Sequence, residues 1–311
     1  MEIISVCALR QPHYIDIFIV YCYNIIMNLG AELHNASYSY EDVANGRDIV
    51  FHDPFTGTPL HPDKVPVSIV AQPHLLSGLN HLARLGRDHN HRITLAGAQH
   101  SSDSEFKMAE LHDIVGEHDA IFLEGVGHTD YHRRIVREIG EGRDNIPDDF
   151  ADDRYKSMQL AAISGHRKLV SYADIPGDGT DYETALIEWG DLARTITTQA
   201  HYEHGETKKN LFRAALINIA GNTILREWQM LGSLGNSLNS AEQQGRRIDN
   251  SLFLIGTEHI RTLPRKLGLL GVMNTPHELA MHKQGTTTTI DYMAFDFTTA
   301  VRDYRARLKE F

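Results

Sequence analysis

Beyond Cys22 the chain has no cysteine, and the only other one is Cys7. Two thiols near one end build neither a disulfide framework nor a Cys-rich zinc finger. A metal centre in this protein would have to rest on His and carboxylates. Positive charge is also in short supply, with 30 Lys and Arg against 41 Asp and Glu and a formal net charge of −11. That balance argues against a nucleic-acid backbone or an anionic membrane surface as the main partner. Long apolar runs are missing as well. Residues 15–27 are the best candidate, but the run is too short for a spanning helix and carries Asp16. No Gly-x-Ser-x-Gly elbow exists, which disfavours a serine hydrolase. No Pro-, Gly- or Ser-rich linker divides the chain, and there is no low-complexity tract.

The N-terminal stretch admits three readings. A signal peptide, with Arg10 ahead of the apolar run, fails on its cleavage pattern because Leu29 stands where a small residue is wanted before Ala31. A peripheral helix is the second. The third, preferred here, starts the protein at Met27 with residues 1–26 as an extension, so that residues 27–311 form a single domain. A cytoplasmic location is expected, although the same stretch leaves export or membrane association open. A homo-oligomer is neither implied nor excluded.

What is present is an alternation of strands and helices. Residues 35–65 read as loops with a short strand at "DIVF", and "PVSIV" reads as another strand. Leu75, Leu76, Leu79, Leu82 and Leu85 recur at helical spacing over 73–87. "RITLAG" is a strand. A helix follows with Ser104 as N-cap and an apolar stripe of Phe106, Met108, Leu111, Ile114 and Val115. "DAIFLEG" is the next strand, "TDYHRRIVREIGEG" a helix, and "DDFADDRYKSMQLAAISG" a helix ended by Gly165. "RKLVSYAD" is a third strand. Residues 182–234 read as helical, broken at Gly205, and "NSLFLIG" is a late strand. "TPHELAMHKQG" reads as a short helix with a Thr275–Glu278 capping box and Pro276 at its first position. "TTTTIDYMAFDF" is expected as a terminal strand and "TTAVRDYRARLKEF" as a closing helix. The alternation predicts an α/β fold: a largely parallel or mixed central sheet flanked by helices, with its site at the C-terminal ends of the strands.

Polar residues recur at those strand ends. The first main strand leads into Gly97 and His100, the second into Glu124, the third into Asp174, and the late strand into Gly256 and His259. The phrase Gly-x-x-His is thus written twice, each time after a strand. Glycine permits a sharp exit from the strand and a close backbone approach. Two such turns can aim two imidazoles at one point. With Glu124 they make two His and a carboxylate, a common catalytic metal set that leaves a position open for water. Without a thiolate, Zn, Mn, Fe and Co are not distinguishable as the divalent metal. The bland alternative is that each His is a turn residue.

The block "GAQHSSDSEFKMAELHDIVGEHDAIFLEG" and the closing block from "LREWQMLG" to "LFLIGTEHIRTLPRKLG" together resemble the TraB/TIKI family, part of a wider superfamily with erythromycin esterase-like and ChaN-like proteins. The resemblance spans roughly residues 93–270, and Arg226, Glu227 and Met230 fit the family's closing pattern. It departs from the family in two ways. An Arg shortly after the strand-end Glu is replaced by later Arg133 and Arg134, with His128 nearer the usual place, and the spanning tail of many members is missing. The resemblance implies a metal-dependent hydrolase acting on a peptide or other acyl substrate, with His100 and His259 as ligands and Glu124 as ligand or general base. Arg226 would then stabilise an oxyanion or grip a substrate carboxylate; its structural alternative is an ion pair with Glu124 or Asp174. Asp174 is expected to orient a His ligand rather than ligate. Ser102 would donate within the site or cap the following helix. Two alternative functions accompany the resemblance: haem, iron or ligand binding of the ChaN-like kind, and metal-independent hydrolysis with His and Glu as acid and base.

Other motifs fall away. His277 and His282 of "HELAMH" are five apart, so on a helix they diverge by about 140°. His128 and His132 have the right i, i+4 spacing, but Gly127 and Thr129 put the helix start near Asp130, which leaves His128 as a lesser site candidate. His89 and His91 read as a solvated loop, and "PGDGTD" lacks the Lys of a phosphate cradle.

Overall fold

The computed structural model describes residues 51–61, 63–98, 108–125, 130–147, 154–174, 181–256 and 259–278. A small antiparallel hairpin, β1 (Phe51–His52) with β2 (Pro59–Leu60), leads into a short helix α1 (Val67–Val70) and a long helix α2 (Pro73–His89). Strand β3 (Arg92–Ala98), helix α3 (Met108–Gly116), strand β4 (Ala120–Leu123), helices α4 (Asp130–Gly140) and α5 (Arg154–Ile163), and strand β5 (Leu169–Tyr172) follow. Two long helices, α6 (Asp181–Tyr202) and α7 (Gly205–Gln243), precede β6 (Asn250–Gly256), a 3-10 turn at His259–Arg261, α8 (Leu263–Leu269) and β7 (Met273–Glu278).

β3 to β7 form one five-stranded sheet in the order β5-β4-β6-β3-β7, and every pairing is parallel. The fold is α/β with a parallel central sheet. The late strand β6 inserts between β3 and β4, so the chain crosses over itself at the middle of the sheet. In register, Leu123 lies beside Leu254 and Ala98 beside Gly256.

Strand alternation divides the core. Ile93, Leu95, Ala120, Phe122, Phe253 and Ile255 face one layer, built from α2, α6, α7 and α8. Ala96, Ile121, Leu123, Leu252 and Leu254 face the other, built from α3, α4 and α5. Both faces are covered, which is why these strands read as continuous apolar runs rather than as polar–apolar alternation. In the first layer α2 and α7 touch backbone to backbone. A Cβ on Gly78 would come within 1.9 Å of the Gly232 carbonyl oxygen, and one on Gly235 within 2.0 Å of that of Gly78. Glycine at positions 78 and 235 is a packing requirement.

Several expectations are met. Gly165 and Gly205 adopt positive φ (85° and 57°) at the helix ends they are expected to mark. Four need correction. His89 and His91 are not a solvated loop: His89 closes α2, and His91, just ahead of β3, is buried against Ile248 and Ser251. "PVSIV" is not a strand: Val67–Val70 is a helical turn, and the Ser68 N–H is held by the Asp53 carboxylate at 3.2 Å. Helix α7 runs to Gln243 rather than stopping near Leu234, because Gly235 is needed against α2 and the buried Leu238 and Ala241 continue its inner face. Most consequentially, Met273–Glu278 is a strand, so the Thr275–Glu278 capping box does not exist. Thr275 pairs with Thr94 and Pro276 with Leu95 at the sheet edge, where a missing N–H on the outer side leaves the ladder intact. The case against "HELAMH" therefore stands on the extended backbone at His277 and not on helical rotation. The expected terminal strand and closing helix, His282 and residues 1–50 lie outside the described residues.

Candidate functional site

The carboxyl ends of β4, β5 and β6 converge under the middle of α7. Glu124 follows β4 directly, and its N–H continues the ladder to the Leu254 carbonyl at 2.9 Å. Asp174 follows β5 by two residues. His259 opens the 3-10 turn after β6. All three are buried, as is Glu227 on α7. Parallel pairing of β4 with β6 makes Glu124 and His259 neighbours although they stand far apart in sequence.

Arg226 clamps the first half of the site. Its guanidinium donates to Glu124 Oε1 at 2.8 Å and to Asp174 Oδ2 and Oδ1 at 2.5 and 3.2 Å. Asp174 Oδ2 also accepts the Gly125 N–H at 3.1 Å, and Glu124 Oε2 accepts the Gly256 N–H at 2.5 Å. The structural alternative expected for Arg226 is what the fold shows, with both carboxylates engaged. The Arg226 side chain as a whole is 21 % exposed. Burial opposes the charge on Arg226, but the two carboxylates outweigh it and raise its pKa further.

His259 organises the other half. Its Nδ1 lies 2.9 Å from Glu227 Oε1, and its Nε2 lies 3.5 Å from Glu124 Oε1. Glu227 is fully buried and also accepts from Thr262 Oγ1 and Lys266 Nζ. Burial would raise the Glu227 pKa, but Lys266 and His259 hold it below the ordinary carboxylate value. As an ionised carboxylate it can only accept, so Nδ1 carries the proton and Nε2 faces Glu124. Burial pulls His259 toward neutrality; Glu124 and then Glu227 outweigh it and lift its pKa to about 10. Glu124 in turn is held well below the usual carboxylate range: burial raises it, but His259, Arg226 and the Gly256 N–H prevail. Among the described residues, Glu124 and Asp174 face Arg226, Glu227 faces Lys266, and His259 lies between Glu124 and Glu227.

His259, Glu124, Arg226 and Asp174 are brought together as expected. His100, Ser102 and His128 lie outside the described residues. Among the described residues, no group of three His, Cys, Asp or Glu side chains is placed to hold a metal ion. Asp174 engages Arg226 and the Gly125 N–H, while the carboxylate that orients His259 is Glu227. Sequence reasoning reaches Glu227 only as part of a family pattern, and it misses Lys266 and Thr262. Their one sequence signal is position, just after the second Gly-x-x-His.

Family models, curated proteins and solved structures give no match to this chain. Among the described residues no helix is long and apolar enough to cross a membrane.

Proposed function

We propose that the chain is a hydrolase of the TraB/TIKI type that cleaves a peptide or other acyl bond with water activated at the carboxyl ends of β4 and β6. The observation that carries this reading is the pairing of His259 Nε2 with Glu124 Oε1 at 3.5 Å, with Nδ1 anchored by Glu227. Two donors that each bind one ion at about 2 Å in tetrahedral geometry lie roughly 3.3 Å apart. A carboxylate on the far nitrogen is the usual way to fix a ligating imidazole and raise its basicity. His259 and Glu124 thus stand at the separation of two ligands of one divalent ion, and the third ligand that the resemblance implies, His100, lies outside the described residues. When bound, such an ion lowers the pKa of water toward neutrality.

The rest of the chemistry belongs to the protein. Glu227 holds the His259 ring in one tautomer. Glu124, the carboxylate beside His259, would serve as a ligand or as the base that accepts the proton of the attacking water. Arg226, the cation beside Glu124, would stabilise negative charge developing on an acyl oxygen, and a fixed cation there favours the transition state over the ground state.

A second reading has its own observation. The imidazole of His259 lies between two carboxylates, which is a setting that stabilises an imidazolium without any metal. His259 would then donate a proton and Glu124 accept one.

The test is metal content by elemental analysis after exposure to Zn, Mn, Fe and Co, on the wild type and on His100→Ala/His259→Ala, alongside a screen of fluorogenic acyl and peptide substrates. Near-stoichiometric metal in the wild type, lost in the double variant, together with hydrolysis abolished by chelation, is the expected result. Hydrolysis that survives exhaustive chelation would select the acid–base reading. A Soret band without hydrolysis would reject both in favour of haem binding.

A further inference from the structure

Two histidines meet beside the N-terminal ends of β4 and β5, at the opposite end of the sheet from the strand-end cluster. His112 lies on α3, whose last residue, Gly116, leads into β4, and His166 stands between α5 and β5. Their ring centroids are 4.2 Å apart, with the planes inclined by 52°. Neither belongs to the proposed catalytic cluster. We propose that His112 and His166 together bind one divalent transition-metal ion of tetragonal preference, Cu(II) or Ni(II), with water in its remaining positions.

Both rings have nitrogen to offer. His112 is exposed, and among the described residues its ring has no hydrogen-bond partner. The Nε2 atom of His166 is buried and has no hydrogen-bond partner either. A covered ring nitrogen left unbonded carries a cost that a bound ion would remove. Burial, then His112 and Lys168, lower the His166 pKa below 6.5, so that ring keeps a lone pair at neutral pH. The separation of the rings selects the class of metal. A ring centroid stands about 3.2 Å from an ion bound at about 2.0–2.1 Å. Two imidazoles on adjacent corners of a square then have centroids about 4.5 Å apart, and on two corners of a tetrahedron about 5.2 Å. The observed 4.2 Å is close to the first and well short of the second.

The backbone holds the pair in place. His166 sits between Gly165 and Arg167, both left-handed, with φ of 85° and 51°. At a non-glycine residue that conformation is uncommon and persists where the surroundings impose it. Here it accompanies a His166 ring packed on Gly116, where a Cβ would come within 3.3 Å of the ring's Cε1. Helices α3 and α5 both finish at this end of the sheet, and the partial negative charge of two helix C-termini favours a cation. Lys168 opposes a second cation, but its Nζ is engaged by the Gly116 carbonyl at 2.9 Å. The Arg167 side chain packs against Gly142 instead.

The test is equilibrium dialysis of the full chain against Ni(II), at about pH 7.5 and free metal up to about 100 μM. Wild type, His112→Phe, His166→Phe and the double variant are compared side by side. Phenylalanine keeps a ring at each position and removes the nitrogens, and the exposed position of His112 makes the first variant the safest for folding. Any ion at the strand ends is common to all four chains and cancels in the comparison. Wild type should bind one ion more than either single variant, and the double variant should lose no more than that one, because the ion is shared. The same ion should leave as pH falls below about 6, where protons compete for the rings. Ni(II) should also raise the thermal midpoint of wild type more than that of His112→Phe. Equal stoichiometry in wild type and His112→Phe would overturn the proposal and leave the pair a ring contact only. So would the loss of two ions in the double variant, since each ring would then bind its own. Tighter binding of Zn(II) than of Ni(II) would overturn the tetragonal assignment. None of these readouts depends on hydrolysis or on His259.

Discussion

Glu227 and His259 are joined at 2.9 Å inside a fully buried cluster whose counter-charge is Lys266. The imidazole is thereby fixed by α7 and α8 rather than by the turn that carries it. Because Glu227 compensates a cation as well as orienting a ring, its removal has two separable consequences. Glu227→Leu should destabilise by about 3–5 kcal/mol, the usual cost of stranding one member of a buried pair. Lys266→Met in the same chain should recover most of that stability in urea unfolding, yet leave His259 unanchored and activity low. If the double variant regains full activity, Glu227 does not position His259.

Arg226 links β4 to β5 through Glu124 and Asp174. Arg226→Lys keeps the charge but not the forked geometry that reaches both carboxylates. Its kcat/KM on a substrate found by screening should fall by about a hundredfold or more, the scale of a lost oxyanion donor. Arg226→Ala should also cost about 3–5 kcal/mol by leaving two buried carboxylates without their cation. Unchanged activity in Arg226→Lys, with the fold intact, would confine Arg226 to a structural role.

His91 predicts an acid-side loss of stability remote from the site. Its ring is buried, with Nδ1 donating to the Ile248 carbonyl at 3.1 Å and Nε2 accepting from Ser251 Oγ at 3.1 Å. Burial, partly opposed by the Ile248 carbonyl, lowers its pKa below 6.5. The unfolded chain therefore takes up the proton first. Stability should be fully present above 6.5 and fall as pH drops below it. His81 shifts the same way through burial and Arg84. Urea midpoints between about pH 5.5 and 7.5 should show the slope, and His91→Gln should flatten it.

Two glycines make a paired test of packing. Gly78→Ala would drive a methyl into the Gly232 carbonyl and separate α2 from α7, at a cost of about 1–3 kcal/mol or more. Gly268→Ala in α8 meets nothing within 4 Å and should gain up to about 1 kcal/mol from helix propensity. Thermal unfolding of the two variants should therefore move in opposite directions.

Local pattern carries much of this protein. The apolar runs at 92–98, 120–123, 169–172 and 250–256 declare strands, and Gly165 and Gly205 mark helix ends. The residue types at the strand ends, Glu124, Asp174 and His259, are legible in the sequence alone, because a parallel sheet puts its polar groups where its strands finish. The same local reasoning fails at "TPHELAMHKQG", where a capping-box pattern and Pro276 spell a helix start. The open edge beside β3 supplies a ladder that outweighs them. It fails again at the end of α7, which runs on past Leu234 to Gln243 because Gly235 packs against α2. What only the tertiary structure decides is who stands next to whom. The insertion of β6 between β3 and β4 sets His259 against Glu124, and the packing of α7 over that seam delivers Arg226 to one side of the pair and Glu227 to the other. Sequence encodes the period and the ends of each element. The order of strands in the sheet depends on crossovers of long helices, whose packing is settled only when distant apolar faces meet.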